Sequence, residues 1–375
     1  MSYFHSLTIS RVTPEAAGAV AVSFAIPAEL RELYRFTPGQ FLTLKATIDG
    51  EPVRRSYSIC SSTQRLAAEH DIEVGIKPVE GGVFSNWATQ LQPGDTLDVM
   101  PPDGRFTPRL SGAVHRVGWA AGSGITPLLS IIASTLAGEP QATFTLVYCN
   151  QRTGSILFNE ALQDLKDRYP SRLSLVHLLS RQSQDVPLFN GRLDAAKVSE
   201  LLATLIPPDS IDETFVCGPE AMIEGCLQAL LAAGVPRERI HAERFTSAAQ
   251  PANAMKSGAA GAEGTGAGGQ KGLKNSEIIG TIGAIRLSVQ LDGKAHELRM
   301  HAHERVLDVA LAAGLDLPYS CKGGVCCTCR ARVLEGQVAM EKNFTLEDWE
   351  VQKGFVLSCQ ARPLSDSVRI SYDER

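Results

Sequence analysis

The sequence has no surplus of positive charge. Its 36 Lys and Arg face 41 Asp and Glu, giving a net charge of −5 at pH 7 and a pI near 5.9, so no nucleic-acid partner is expected. The first residues, MSYFHSLTIS, lack the apolar core of a signal peptide, and the cytoplasm is the expected location. No apolar run is long and unbroken enough to suggest a membrane partner. The uncharged stretch from Val117 to Ala137, between Arg116 and Glu139, is interrupted by AAGSGITP and reads as a strand, a tight turn and a buried helix. Nine cysteines is an odd number, so a disulfide framework is not expected, and clustered thiols in a reducing compartment point to metal.

What is present is a chain of 375 residues, long enough for two or three domains. Residues 1–108 alternate apolar and polar positions over short runs such as AVAVSFAI and FLTLKATI, separated by turn signals such as TPGQ, QPGDT and PPDG. This pattern predicts an antiparallel β-barrel. Over 109–246 apolar strands alternate with helical patterns: HRVGWAA with TPLLSIIASTL, ATFTLVYC with LFNEALQDLKDRY, and ETFVCGP with PEAMIEGCLQALLAAG. Such βα repeats predict a doubly wound α/β domain with a mostly parallel sheet. Between Thr246 and Asn275 lie seven Gly and eight Ala without periodicity, which reads as a flexible linker over 247–281 with a span of roughly 30 Å. Residues 282–375 resume with AIRLSVQL, HELRM and the helical ERVLDVALAAG.

The stretch YSCKGGVCCTCR puts Cys321, Cys326, Cys327 and Cys329 within nine positions, and Cys359 follows thirty residues after Cys329. Cys321, Cys326, Cys329 and Cys359 have the C-x4-C-x2-C…C spacing of plant-type [2Fe–2S] ligands. A structural zinc site would favour paired C-x2–4-C halves. Four thiolates must converge on two irons, so the loop must curl. Gly323 and Gly324 are expected to take positive φ for that purpose, with amide N–H groups turned to the sulfurs. Cys327 is off the spacing and is read as a non-ligand. Cys60, Cys149 and Cys226 are read as packing residues, and His301-x-His303 as the flank of a helix start. Residues 284–375 resemble a plant-type ferredoxin, which implies a β-grasp fold.

Upstream, RRSYSICSS, GGVFS and PPDGRF occur in order. They resemble motifs of the ferredoxin–NADP reductase superfamily, which implies an FAD domain. The resemblance assigns FAD contacts to Arg55, Ser56, Tyr57, Ser58, Ile76, Lys77, Gly82, Val83, Ser85 and Phe245. A guanidinium pairs well with a phosphate, a tyrosine ring stacks on a flavin, and main-chain N–H groups with a serine cradle phosphate. AAGSGITP, LLSRQ, CNQRTGS, FVCGPEAM and HAERF continue the likeness. They imply a nicotinamide-nucleotide site formed by Gly122, Gly124, Thr126, Arg152, Ser180, Arg181, Cys217, Gly218, Pro219 and Met222. A helix N-terminus favours the pyrophosphate, and Arg181 beside Ser180 favours NADPH through the ribose 2′-phosphate. Ser58, Cys217 and Glu243 would lie at the reacting atoms.

The order barrel, nucleotide domain, linker, ferredoxin resembles the family of phenylacetyl-CoA 1,2-epoxidase reductase subunits. The likeness runs through FHSLTISRV, YRFTPGQFLTLKA, VAMEKNFTLE and GFVLSCQARPL. It implies a reductase component that passes electrons from NADPH through FAD and a [2Fe–2S] cluster to a di-iron oxygenase subunit of a multicomponent complex. A reductase for another oxygenase, such as a Rieske dioxygenase or a steroid or alkane hydroxylase, would carry the same motifs. A non-catalytic iron–sulfur redox sensor is the alternative of a different class.

Overall fold

In a computed structural model, which describes residues 4–245 and 284–374, the alternating N-terminal text becomes six strands. These are β1 (His5–Pro14), β2 (Val20–Ala25), β3 (Phe41–Ile48), β4 (Glu51–Ser58), β5 (Asp71–Ile76) and β6 (Thr96–Val99). All pairings are antiparallel, in the order β4-β3-β6-β1-β2-β5. The two edges meet where Ile59, just past β4, bridges Val74 of β5, which curls the sheet into a barrel. Alternation works as expected from the two-residue period of a strand: Leu7 and Ile9, Val22 and Phe24, Leu42 and Leu44, and Ile72 and Val74 fill the interior. Two short helices lie outside the strands, α1 (Thr63–Glu69) and α2 (Val83–Trp87). Ser62 caps α1 by accepting the N–H of Arg65, a standard use of serine at an N-cap.

The βα repeats form a five-stranded sheet of β7 (His115–Ala121), β8 (Thr143–Asn150), β9 (Leu173–Leu179), β10 (Glu213–Gly218) and β11 (Ile240–Arg244). The order is β11-β10-β7-β8-β9, and every pairing is parallel. Helices α3 (Ile125–Gly138), α4 (Asn159–Arg168), α5 (Ala195–Thr204) and α6 (Glu220–Ala232) make the crossovers. Buried side chains pack on both faces, α3 and α4 with one core and α5 and α6 with the other. Strand order reverses on either side of β7, and the crevice at the carboxyl ends there is the usual ligand position of such a sheet.

A buried ion network fixes the entry to this sheet. Arg116 is fully buried and donates from Nε to Glu213 at 3.1 Å and from Nη1 to Glu139 at 2.9 Å. Glu213 also accepts the Arg109 N–H at 2.7 Å and lies 3.0 Å from His241 Nε2. Burial pushes the Glu213 carboxyl up, but its hydrogen bonds with His241, the Arg109 N–H and Arg116 outweigh this and leave it below the usual range. The network pins the segment that leads out of the barrel.

The described part of the C-terminal region has β12 (Ile285–Leu291), β13 (Lys294–Met300), α7 (Val306–Ala312), β14 (Arg330–Glu335), β15 (Val338–Met340), α8 (Asp348–Gln352), β16 (Phe355–Leu357), β17 (Ala361–Pro363) and β18 (Ser367–Ser371). The main sheet has the order β13-β12-β18-β14-β16, and β15 pairs with β17. The one parallel pairing, β12 with β18, runs through the middle of a mixed sheet. The described residues divide into two units, 4–245 with 318–329 and 284–317 with 330–374. The linker expected at 247–281 lies outside the described residues. No helix among the described residues is long and apolar enough to cross a membrane.

Candidate functional site

The carboxyl ends of β7, β10 and β11 and the end of β4 bring the expected reacting residues together. Ser58 closes β4 and donates from Oγ to Glu243 Oε1 at 3.1 Å. Cys217 and Glu243 are register partners on adjacent parallel strands. Burial pushes the Glu243 carboxyl up to about 8, against a smaller lowering by the Ser58 hydroxyl, so the carboxyl keeps its proton at neutral pH. The buried Cys217 thiol is pushed up as well, first by burial and then by Glu243. It is a neutral thiol, not a nucleophile.

Two glycines shape the turn from β7 into α3. Gly122 has φ +53°, a conformation costly for side-chain-bearing residues. Gly124 passes so close to β10 that a Cβ there would sit 2.0 Å from the Cys217 carbonyl oxygen. Thr126, in the first turn of α3, faces the barrel: a Cβ on Gly75 of β5 would meet its methyl at 2.6 Å and the Phe158 ring at 2.8 Å. Lys77, just past Ile76, brings its Nζ within 3.9 Å of where a Gly122 Cβ would stand. Gly218 is followed by Pro219, the N-cap of α6, and packs so that a Cβ would meet Met222 Cε at 2.8 Å.

On the barrel side, Arg55, Ser56 and Tyr57 lie on β4. The Tyr57 ring is 5.7 Å from Phe84, tilted by 38°. Arg55 Nη1 donates to the Arg54 carbonyl, and Ser56 Oγ is 3.1 Å from Thr43 Oγ1. The GGVFS stretch is not a plain loop, since Gly82 caps α2 and Val83 begins it. A Cβ on Gly82 would strike Ser85 Oγ at 2.5 Å and Val79 Cγ2 at 2.6 Å. Ser85 is buried, and its Oγ accepts the Val79 N–H at 3.3 Å. The tight cradle at Gly82, where a Cβ has no room, and the buried Ser85 hydroxyl are features that suit a bound anionic cofactor. Phe245 is exposed.

At the carboxyl ends of β8 and β9, two loops are tied together. Ser180 donates from N and from Oγ to the Asn150 carbonyl, and the Arg181 N–H to that of Gln151. The Thr153 N–H reaches Gln182 Oε1 at 3.0 Å. Arg152 and Arg181 thus stand on adjoining loops with exposed side chains.

In the cysteine loop the left-handed positions are Lys322 at φ 50°, Gly324 at 79° and Cys327 at 57°. Gly323, expected to share that conformation, does not; its N–H instead donates to Cys321 Sγ at 3.3 Å. The Cys321 thiol is drawn down to about 6, first by the Cys326 thiol, against burial, and further by the N–H groups of Gly323, Val325 and Cys326. Arg330 of β14 pairs with Leu357 of β16, so the chain enters β14 after Cys329 and leaves β16 before Cys359 at the same end of the sheet. No group of three His, Cys, Asp or Glu side chains among the described residues is set around a single ion. A [2Fe–2S] cluster does not ask for one, because its four thiolates are shared between two irons. The donor set and the amides aimed at sulfur fit that group.

Sequence reasoning missed Tyr148. Its hydroxyl donates to the Gly122 carbonyl at 2.9 Å and so holds the turn from beneath. It also missed Glu15, whose carboxylate accepts the N–H of Phe158, a residue at φ 55°. The signal in both cases is a cross-strand or cross-domain register that local spacing does not carry.

Three family models match in chain order: the oxidoreductase FAD-binding domain over residues 7–107, the oxidoreductase NAD-binding domain over 119–228, and the 2Fe-2S iron-sulfur cluster binding domain over 289–364. The chain is 44% identical over 379 residues to one of the subunits of the 1,2-phenylacetyl-CoA epoxidase of Escherichia coli (strain K12), covering 100% of this chain and 99% of that protein. It is 36% identical over 368 residues to the ferredoxin reductase component of 3-ketosteroid-9-alpha-monooxygenase from Rhodococcus rhodochrous, covering 98% and 96%. The structure of phthalate dioxygenase reductase matches with a TM-score of 0.57 and 20% identity over 98% of both chains, a likeness of fold. The chain therefore belongs to the family of reductase components of oxygenases, NAD(P)H-dependent oxidoreductases in which an FAD-binding barrel, an NAD(P)-binding domain and a [2Fe–2S] domain share one polypeptide.

Proposed function

We propose that this chain supplies electrons from NADPH to a di-iron oxygenase that epoxidises the aromatic ring of phenylacetyl-CoA at positions 1 and 2. The observation that carries this reading is the likeness to the Escherichia coli epoxidase component over essentially the whole of both chains. On this reading the FAD-binding domain is 1–108, the NAD(P)-binding domain 109–246 and the [2Fe–2S] domain 282–375, with 247–281 joining the last two, in a cytoplasmic protein.

FAD held by the barrel would supply two-electron hydride acceptance from the nicotinamide, and a [2Fe–2S] cluster held by the four cysteines would supply one-electron transfer. The chain's part is position and proton control. On the barrel, Arg55 pairs with flavin phosphate, Ser56 and Tyr57 line the ring, and Ile76, Lys77, Gly82, Val83 and Ser85 line the remainder of the cofactor. Phe245 closes the other face. Gly122, Gly124 and Thr126 receive the pyrophosphate at the start of α3, while Cys217, Gly218, Pro219 and Met222 bound the nicotinamide pocket. Arg152, Ser180 and Arg181 take the 2′-phosphate. Glu243 holds a proton next to Ser58 at the point where charge changes during transfer. Cys321, Cys326, Cys329 and Cys359 ligate the cluster.

The test is reconstitution with purified oxygenase subunits. NADPH-dependent formation of the ring epoxide from phenylacetyl-CoA is expected, with a lower kcat/KM for NADH and loss of that preference in Arg181→Ala. Failure with the epoxidase subunits but turnover with a 3-ketosteroid hydroxylase would move the chain to the second relative's chemistry.

A further inference from the structure

Gln360 is a polar side chain with 2% exposure, and nothing in the motifs accounts for it. It follows Cys359 directly, in the turn between β16 and β17. Its backbone is fixed at both ends: its N–H donates to the Leu357 carbonyl at 2.8 Å, and its carbonyl accepts the Glu341 N–H at 3.1 Å. The side chain folds back on its neighbour. Nε2 donates to the Cys359 carbonyl at 2.9 Å and lies 3.5 Å from Cys359 Sγ. The carbonyl fixes the amide's orientation, since two oxygens would repel at that distance. The same nitrogen also donates toward the sulfur.

A buried amide costs free energy unless its donors are used, and an apolar side chain of similar length would fill the same space more cheaply. The amide's return is electrostatic. Hydrogen bonds to cluster sulfurs are one of the means by which a protein sets a cluster's potential. When one electron is added, with no bond broken, the site gains one unit of negative charge and its sulfurs become better acceptors. A donor at sulfur therefore favours the reduced form.

We propose that Gln360 is a positioning residue for electron transfer, which raises the one-electron potential of the iron–sulfur site by hydrogen-bonding the sulfur of Cys359. This rests on the assignment of Cys359 as a cluster ligand.

The experiment compares native protein with Gln360→Met, close in size and without a donor, by redox titration of the reduced cluster's electron paramagnetic resonance signal. The equilibrium constant for reduction should fall about tenfold, ~59 mV for a one-electron couple. NADPH-driven reduction of ferricyanide, read at the flavin, should stay unchanged. An unmoved potential at full iron and sulfide content overturns the proposal. If Gln360→Met assembles no cluster, native protein carrying 15N in its glutamine side chains decides: a hyperfine coupling from an amide nitrogen supports the contact, and its absence overturns it. Native protein without iron, or a Cys359→Ser variant that keeps the native cluster, would instead sink the ligand assignment itself.

Discussion

Replacing Gly124 with alanine tests the geometry of the nucleotide crevice at its tightest point. The added Cβ would lie 2.0 Å from the Cys217 oxygen, 2.5 Å from its carbonyl carbon and 2.9 Å from the Gly218 nitrogen. All three are backbone atoms, so no side chain can rotate away. Reaching even 3.0 Å, the shortest distance real Cβ atoms keep, requires a shift of at least 1.0 Å (3.0 − 2.0) between the β7–α3 turn and the end of β10. These are the two edges of the proposed nicotinamide site. A misplacement of ~1 Å at reacting atoms can cost about a hundredfold in rate, and overpacking costs ~1–3 kcal/mol. At about 2–4 °C per kcal/mol for a unit of this size, the melting temperature should fall by roughly 2–12 °C. Stopped-flow reduction of the flavin by NADPH should therefore show kcat/KM about a hundredfold lower in Gly124→Ala. Chemical reduction of the cluster by dithionite bypasses the crevice and should be normal. Native kcat/KM with a native melting temperature would mean that the close approach is not as described, and the reasoning would fail.

Two further predictions rest on ionisable groups whose protonation or pairing the fold controls. Glu243, with its carboxyl raised to about 8 by burial, takes up a proton on folding between about 4.5 and 8, so native stability contributed by this group falls as pH rises through that window. The rate of flavin reduction should decline through about pH 8, and Glu243→Gln should flatten that limb; an identical limb in the variant would assign it elsewhere. Arg116→Met leaves Glu213 and Glu139 without their guanidinium. Removing one partner of a buried pair costs ~3–5 kcal/mol, a fall in melting temperature of about 10 °C. Adding Glu213→Gln should recover part of it, and no recovery would show that packing rather than charge governs the site.

These groups mark the limit of what the sequence discloses. Strand alternation, the βα rhythm and the cysteine spacing are local, period-2, period-3.6 or fixed-offset signals, and all are legible. Arg116 is not, because in sequence it looks like the charged border of an apolar run. Its partners lie 23 and 97 positions away, and only the fold brings them together. The helix that Gly82 caps and Val83 begins leaves no trace in the pattern, because five residues are too few to show a period. Tyr148 reads as one more apolar strand position, and its role depends on the β7–β8 register that sets it opposite Ala120, beside the Gly122 turn. The Gly323 expectation failed for a related reason: a Gly-Gly pair shows that positive φ is affordable but not which residues adopt it, and in this loop Lys322 and Cys327 take two of the three left-handed positions.

The nine cysteines show how one residue type is given different work. Cys60, Cys149, Cys217 and Cys226 all have thiols pushed up, in each case by burial first. Each is a neutral thiol at physiological pH, which suits packing. Burial alone does not separate these from ligands, since Cys326, Cys329 and Cys359 are equally buried. The difference is the backbone. Around Cys321 the loop turns three N–H groups and the Cys326 thiol toward one sulfur, so Cys321 is lowered while Cys326, sharing its proton, is raised. The curled loop, with its left-handed residues, is therefore what makes these thiols candidates for iron, and the spacing C-x4-C-x2-C is the trace that this curl leaves in the sequence.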